Sequence, residues 1–300
     1  MNQAKEARLR AAGFSGPWPA PVKLNLFLHV NGRRLDGFHD LQTFFRLLDF
    51  GDCLYFRPRS DGVIRRVDQA LPDLDPAQDL IIRAARVLRD QLGNDRLGAD
   101  IHLVKRTPVG GGLGGGSSDA ATTLRVLDRL WSANQPLTSL ESLGLQLGSD
   151  VPVFVRGRSG WAEGRGERLI PDDRPDDYYL VVCPGHGVST AELFSAPELE
   201  RNAPRLSLAP PPTNMPQTNA FMPVLLARSD AVRAACQSME TLGLTPRLTG
   251  TGACLFARFS ERRDAEQAAT ALPGTLAHYV AAGCNRSPLL DQLEQARRAS

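Results

Sequence analysis

Three groups of residues have the types and spacing for phosphate chemistry. The densest is Pro108-Val109-Gly110-Gly111-Gly112-Leu113-Gly114-Gly115-Gly116-Ser117-Ser118-Asp119, in which six of twelve residues are glycine. Glycine lets a backbone approach an anion closely and aim successive N–H groups at it. The stretch follows a strand-like run, 99–104, and leads into a helix-like run, 120–131, so a helix N-terminus adds partial positive charge. Ser117, Ser118 and Asp119 are also of the types that cap helices. The second group is Lys23 and Asn25, which share one face of an alternating strand and emerge roughly 6–7 Å apart. The third is Asp150, inside Gly148-Ser149-Asp150-Val151-Pro152. A carboxylate beside an ammonium stays ionised and can take or orient a hydroxyl proton while the ammonium steadies a phosphoryl group. Taken singly, Lys23-x-Asn25 also fits a solvated strand face and Asp150 also fits a turn or cap. Spacing alone does not bring the two together.

The glycine loop meets the letter of several motifs and the substance of none. Gly110-x-Gly112-x-x-Gly115 has the dinucleotide fingerprint, but about twenty residues on stands Ser132-Ala133-Asn134-Gln135-Pro136 rather than an acid ending a strand. That disfavours a Rossmann oxidoreductase. No Gly-Lys-Ser/Thr closes the loop, so it is not a Walker A motif, and no His-Arg-Asp or Asp-Phe-Gly marks a protein kinase. The cation for a phosphate site must come from elsewhere in the chain.

The elements that must hold these groups follow from periodicity. Residues 1–17 read as a loose tail or short helix. Val22, Leu24, Leu26, Leu28 and Val30 form one face of a strand that turns at Asn31-Gly32. Strands are expected at 42–49 and 53–57, with Asp61-Gly62 as a hairpin turn, and a helix at 76–92. A short helix at 139–147 is broken at Gly148, and 153–156 is ambiguous. A shift to Pro and Asp at 170–175 marks a boundary between a domain of residues 1–170 and one of residues 171–300. A buried strand at 178–182, a proline-rich irregular loop at 203–217, helices near 219–228 and 231–242, a strand–glycine–strand unit at 247–259, a helix at 262–271, a strand at 276–281 and a polar tail at 288–299 complete the reading. Strands and helices do not alternate regularly, which favours an α+β fold.

Composition narrows the function. Three hundred residues at a net charge of +2 argue neither for a nucleic-acid binder nor for an acidic tail. No run approaches a membrane span and the charged N-terminus is not a secretory signal. Five scattered cysteines, Cys53, Cys183, Cys236, Cys254 and Cys284, suit reduced thiols in a cytoplasm.

Pro21-Val22-Lys23-Leu24-Asn25-Leu26, the loop 108–118 and Leu248-Thr249-Gly250-Thr251-Gly252-Ala253 together resemble the three motifs of the GHMP small-molecule kinases, a family that includes galactokinase, homoserine kinase and mevalonate kinase. Arg33-Arg34-Leu35-Asp36-Gly37-Phe38-His39, the loop extended to Ala121, Gly148–Pro152 and Gly164-Arg165-Gly166-Glu167 resemble the branch whose substrate is a cytidylyl-linked methylerythritol. The resemblance covers Pro19 to Gly283. It implies a two-domain α+β fold with a ribosomal-S5-like N-terminal domain, a ferredoxin-like C-terminal domain and the active site in the cleft between them.

The same resemblance implies roles. Pro108, Val109, Gly110, Gly111, Gly112, Leu113, Gly114, Gly115, Gly116, Ser117 and Ser118 would wrap the phosphates of ATP. Asp150 would be the base and Lys23 its neighbour. Asn25 would hold the methylerythritol end. Phe38 and His39 would meet the cytosine, with Phe194 as a second aromatic wall. Thr249, Gly250, Thr251 and Gly252 would line the diphosphate side. Mg2+ would come with ATP, with Ser118 or another loop hydroxyl as a candidate ligand. Two residues depart from the family pattern. Phe38 stands where Tyr is usual, which keeps a stacking face and loses a hydroxyl. Val22 stands where Ala is usual, a packing change. Other members of the family, acting on homoserine or mevalonate, and an inactive nucleotide-binding regulator are the alternatives; Asp36-Gly37-Phe38-His39 disfavours the first, and the presence of both Lys23 and Asp150 the second.

Overall fold

The alternation from Val22 to Val30 lies within a long strand, β1 (Ser15–Arg33), preceded by a helix, α1 (Gln3–Ala11), that buries none of its residues. The computed structural model describes residues 3–185, 188–207 and 215–298. β1 pairs antiparallel with β2 (His39–Arg59), and the register slips between Asn25 and Leu28. Both faces of β1 are therefore covered: Lys23, Asn25, Leu26 and Phe27 are all buried. A solvated Lys23 face is excluded. The turn expected at Asn31-Gly32 falls later, where Gly37 donates to the Arg34 carbonyl at 3.2 Å. The two strands expected at 42–49 and 53–57 are one bent strand, β2. Gly51 permits the bend, because a Cβ there would sit 2.0 Å from the Ala20 carbonyl oxygen.

Asp61-Gly62 is not a hairpin turn. The next strand, β3 (Ile64–Arg66), lies parallel to β4 (Gly98–Val104), and β4 in turn pairs antiparallel with β2. Between β3 and β4 runs α2 (Leu80–Leu92). Asp79 caps it by accepting from the Ile81 N–H at 2.8 Å, so it starts later than periodicity suggested. The helix after the glycine loop, α3 (Gly115–Leu130), starts earlier than expected, inside the glycine run. α4 (Leu137–Leu147) and α5 (Val151–Arg156) follow; the ambiguous 153–156 is helical. Helices α2 to α5 cover β1, β2 and β4 in one apolar core with Leu54, Phe56, Ile81, Leu88, Leu124 and Phe154. β5 (Gly160–Gly164) adds to β2, and β6 (Arg168–Pro171) to β5.

The remaining strands are β7 (Tyr178–Cys183), β8 (Arg247–Leu248), β9 (Leu255–Phe259) and β10 (Ala277–Cys284). They stand in the order β10-β7-β9-β8, all antiparallel, which is last, first, third and second in sequence and is the ferredoxin-like arrangement. The helices here are α6 (Thr190–Ser195), α7 (Met222–Arg228), α8 (Asp230–Thr241) and α9 (Arg262–Ala271). A second core joins Leu180, Val182, Phe221, Leu225, Val232 and Met239. The sequence 203–217 has no helix or strand where it is described, and 208–214 lies outside the described residues. The expected polar tail is instead a helix, α10 (Pro288–Arg298), because Leu289 and Leu293 lie one turn apart and bury themselves in the first core. Among the described residues no helix is long and apolar enough to cross a membrane.

The two sheets join where β10 meets β2, at Gly283–Leu48 and Cys284–Leu47. The junction is fastened by a fully buried Arg46. Its guanidinium pairs with Asp177 at 2.6 Å, donates to the Pro175 carbonyl at 3.1 Å, and bonds Asn285. Asp177 also accepts from the Tyr179 hydroxyl at 2.5 Å. A buried ion pair broken on one side leaves an uncompensated charge. Asp177→Ala is expected to lower unfolding stability by about 3–5 kcal/mol in urea titrations; a loss below about 1 kcal/mol would show that Arg46 is compensated by its other partners alone.

Candidate active site

The glycine loop bridges β4 and α3. Asp52 of β2 holds its start: the carboxylate accepts from the Arg106 and Thr107 N–H groups at 2.6 and 2.9 Å and from the Thr107 hydroxyl at 2.7 Å. Gly110, Gly112 and Gly114 then take left-handed φ of 73°, 76° and 72°, which only glycine adopts without cost. Space demands glycine too. A Cβ on Gly112 would lie 2.3 Å from the Thr249 carbonyl oxygen, and one on Gly114 would lie 2.9 Å from the Phe154 ring and 3.3 Å from Lys23 Cε. Gly114 is the N-cap of α3, so Gly115, Gly116, Ser117 and Ser118 form its first turn. Ser117, Ser118 and Asp119 therefore do not cap the helix.

Lys23 reaches the loop from β1. Its ammonium is buried and donates to Asn25 Oδ1 at 2.6 Å and to the Gly112 carbonyl at 2.8 Å. Asp150, at the start of α5, lies 3.4 Å away with its side chain one-third exposed. The pair that spacing could not join is thus assembled in space. Both amide atoms of Asn25 are held by the protein: Oδ1 also accepts from the Gly250 N–H at 3.0 Å, and Nδ2 donates to the Thr43 hydroxyl at 2.9 Å. The third glycine segment closes on the loop, with the Cys254 N–H donating to the Gly111 carbonyl at 3.1 Å. Asn219 supports that segment through the Leu248 and Gly250 carbonyls at 3.0 and 2.9 Å.

Two cavities meet at the loop. The larger, about 1040 Å³, is lined by Lys23, Asn25, Phe38, His39, Asp150 and Phe194, with Gly250 and Thr251. Thr249 is fully buried behind it, where its hydroxyl accepts from the Asn25 N–H at 3.0 Å. Gly252 packs against Leu225 and Leu248 and does not line the wall either. The smaller cavity, about 640 Å³, is lined by 108–117, Leu80, Lys105 and Asp119. Gly110, Gly112, Gly114 and Ser117 face both. Ser118 faces neither: it is fully buried and donates to the Pro21 carbonyl at 2.6 Å, which removes it as a metal ligand and as a phosphate contact. Among the described residues no group of three or more His, Cys, Asp or Glu side chains could hold a metal ion.

The aromatic end of the larger cavity is already self-stacked. The Phe194 ring of α6 lies on His39 with centroids 4.9 Å apart. The Arg165 guanidinium lies 3.6 Å from the centre of the half-exposed Phe38 ring. Asp36 fixes the Phe38 loop by accepting from the Phe38 N–H at 3.1 Å and pairing with Arg34 at 2.9 Å. Burial, then Arg201 and Arg33, hold the His39 imidazole below its ordinary range, and its Nε2 is buried without a partner. A neutral imidazole offers one donor and one acceptor to a ligand edge.

Lys105 and Asp119 also line the smaller cavity; from the sequence Lys105 has no assigned role and Asp119 only that of a cap type. The Lys105 ammonium contacts Asp52 at 2.6 Å, the Thr107 hydroxyl at 2.9 Å and Asp119 at 3.5 Å, and it lies beside Gly115 at the foot of α3. Lys105 closes the strand before the loop, and that position was its one sequence signal. Burial pushes the Asp119 carboxyl up to about 8, with Lys105 opposing and Asp52 reinforcing the shift.

The sequence matches the family model described as GHMP kinases N terminal domain over residues 79–158 and the one described as GHMP kinases C terminal over residues 213–278. It is 51% identical over 277 residues to the 4-diphosphocytidyl-2-C-methyl-D-erythritol kinase of Xanthomonas euvesicatoria pv. vesicatoria, covering 92% of this chain and 93% of that protein. The protein of the same name from Xylella fastidiosa is 49% identical over 277 residues, 92% of each chain. Among solved structures, a 4-(cytidine 5'-diphospho)-2C-methyl-D-erythritol kinase superposes with a TM-score of 0.75 at 31% identity, covering 88% of this chain and 98% of that one. A mevalonate kinase superposes with a TM-score of 0.61 at 13% identity, covering 91% and 100%, and is similar in fold.

The raised Asp119 value has a consequence for stability. In the unfolded chain the group titrates near 4, and in the folded chain near 8. Between those values folding takes up a proton, so this group makes stability fall as pH rises through the window. Asp119→Asn removes that dependence. Its Tm advantage over the parent is expected to widen between pH 5 and pH 8 in thermal melts; parallel curves would contradict a neutral buried Asp119.

Proposed function

This chain belongs to the 4-diphosphocytidyl-2-C-methyl-D-erythritol kinases of the GHMP family, and from that membership we propose the chemistry of its site. It is a kinase that transfers a phosphoryl group to an alcohol. The reaction is phosphorylation of the 2-hydroxyl of 4-diphosphocytidyl-2-C-methyl-D-erythritol in isoprenoid precursor synthesis, with ATP as donor. The observation that carries the reading is the meeting of Lys23, Asp150 and the glycine loop at the wall shared by two cavities.

In this proposal the smaller cavity takes the nucleotide. Its alternating left-handed glycines and the N-terminus of α3 fit an anionic phosphate chain, and Lys105 adds a cation at the foot of that helix. ATP supplies the transferable phosphoryl group, and Mg2+ accompanies it with Ser117 as the loop hydroxyl within reach of both cavities. The larger cavity takes the cytidylyl substrate, the base toward Phe38, His39 and Phe194 and the polyol toward Asp150. Gly250 and Thr251 serve the diphosphate side. Entry of a base requires Phe194 to leave His39 or Arg165 to leave Phe38, since each covers a ring face.

Asp150 orients the 2-hydroxyl and takes up its proton. That hydroxyl is a hindered tertiary alcohol, so positioning and electrostatics have to supply most of the rate. Lys23 fixes Asp150 on one side and the Gly112 carbonyl on the other, which sets the acceptor and the phosphate loop at a constant separation. Asn25 acts through Lys23, because its oxygen is occupied by the ammonium and the Gly250 N–H. A division of labour near residue 170, and work in a reducing cytoplasm, are part of the proposal; the five cysteines are free thiols.

Two measurements test it. ADP formation is expected to depend on the cytidylyl substrate, with mevalonate and homoserine inert; turnover of either alcohol would overturn the assignment. Asp150→Asn is expected to lower kcat by about 10²–10⁴-fold, the usual worth of a positioned base. Turnover within about threefold of the parent would remove Asp150 from proton transfer.

A further inference from the structure

Arg165 belongs to none of the roles assigned so far, yet it lines the larger cavity. It sits at the tip of the turn between β5 and β6, flanked by Gly164 and Gly166 with φ of 74° and 108°. Glu167 pins the turn by accepting from the Arg165 N–H at 2.6 Å. The turn presses on the site: a Cβ on Gly166 would lie 3.3 Å from the Phe45 ring and 4.0 Å from Asp150 Oδ1. The guanidinium spans two functional ends. One face covers Phe38, and Nη2 donates at 3.0 Å to the hydroxyl of Ser149, the residue before Asp150.

Its hydrogen-bonding capacity is largely unspent. Nε is buried with no partner. Among the described residues, no carboxylate lies within ion-pair distance of it, whereas Arg34, Arg46, Arg57, Arg59, Arg66 and Arg156 all hold one. The other cations around the cavity are committed or peripheral. Lys23 is held by Asn25, Gly112 and Asp150. Arg201 donates to the Phe194, Ala196 and Leu199 carbonyls at 2.7, 2.7 and 3.0 Å. Arg33 lies at the exposed end of β1.

Resting on the substrate reading above, we propose that Arg165 binds the diphosphate of the cytidylyl substrate and so selects a nucleoside diphosphate ester over an uncharged nucleoside. A diphosphate linking a base at Phe38 to a hydroxyl at Asp150 must pass between those residues, and the guanidinium stands there. A planar fork with spare N–H donors matches phosphate oxygens in pairs, and such charge-assisted bonds are the strong ones. The cation over Phe38 is then a holding position: the guanidinium moves to the phosphates as a base takes its place on the ring.

The test is equilibrium binding of CDP and of cytidine to the full-length parent, Arg165→Met and Arg165→Lys, with the KM for ATP and the melting temperature measured alongside. Arg165→Met keeps the unbranched stem of the side chain and removes charge and fork. It is expected to weaken CDP by about tenfold or more, as loss of charge-assisted hydrogen bonds does. Cytidine affinity and the KM for ATP are expected to stay within about twofold. Arg165→Lys is expected to recover part of the loss, since it restores charge without the fork. Equal weakening of CDP and cytidine would overturn the proposal and leave Arg165 as a support for Phe38. A fall in kcat with CDP binding intact in both variants would also overturn it, in favour of a role in placing Ser149 and Asp150. A parent that binds neither CDP nor cytidine would overturn the substrate reading itself, and the role of Arg165 with it.

Discussion

The site depends on one buried charge. An ammonium inside a protein is tolerated only when it is paired and hydrogen-bonded, and Lys23 meets that condition with three partners from three parts of the chain. Asn25 is two residues on in β1, Gly112 is at the centre of the glycine loop, and Asp150 opens α5. Each partner is fixed in turn. Asn25 is locked by Thr43 and Gly250, Gly112 by the Thr249 segment packed on it, and α5 by the core it shares with α3 and α4. The requirement to satisfy one cation thereby ties the first sheet, the phosphate loop and the second sheet's glycine segment to a single geometry.

The loop is a partition as well as a cradle. It begins under Asp52, crosses Lys23, and ends as the first turn of α3, with Gly110, Gly112, Gly114 and Ser117 exposed to both cavities. The strip is therefore open on both sides, as the proposed placement of donor and acceptor requires. A side chain at Gly112 or Gly114 would collide with the Thr249 carbonyl or with Phe154 and Lys23, so glycine here keeps the partition thin. The buried Arg46–Asp177 pair fastens the two sheets where β10 meets β2.

Much of the site was legible in the sequence because its parts are local. A glycine run between a strand and a helix, a Lys-x-Asn on an alternating strand, and the segment Gly148-Ser149-Asp150-Val151-Pro152 name the loop, Lys23 and Asp150 as candidates. What spacing could not give was convergence, since Lys23 and Gly112 are far apart in the chain and meet only through the fold. Boundaries failed where tertiary contacts override local signals. Ser118 has the chemistry of a cap or a metal ligand, but the early start of α3 turns it into the core against Pro21. The strand β3 chose β4 over β2 because Gly62 bonds to Arg96 rather than closing a hairpin. The terminal α10 looked polar because only Leu289 and Leu293 face inward. Lys105 carried no motif of its own, and Arg165 stood in the segment Gly164–Glu167 without a role, so their environment gives them meaning.

If Lys23 and Asp150 form one unit across the loop, their contributions to catalysis cannot be independent. The decisive measurement is a double-mutant cycle on kcat/KM for the cytidylyl substrate with Lys23→Ala, Asp150→Asn and the pair together. Residues that act as a unit give strongly non-additive losses, so the double variant is expected to lie within about threefold of the worse single variant. Losses that multiply, with the double variant slower by the product of the two single effects, would show that the ammonium and the carboxylate work separately and that the buried charge does not organise the site.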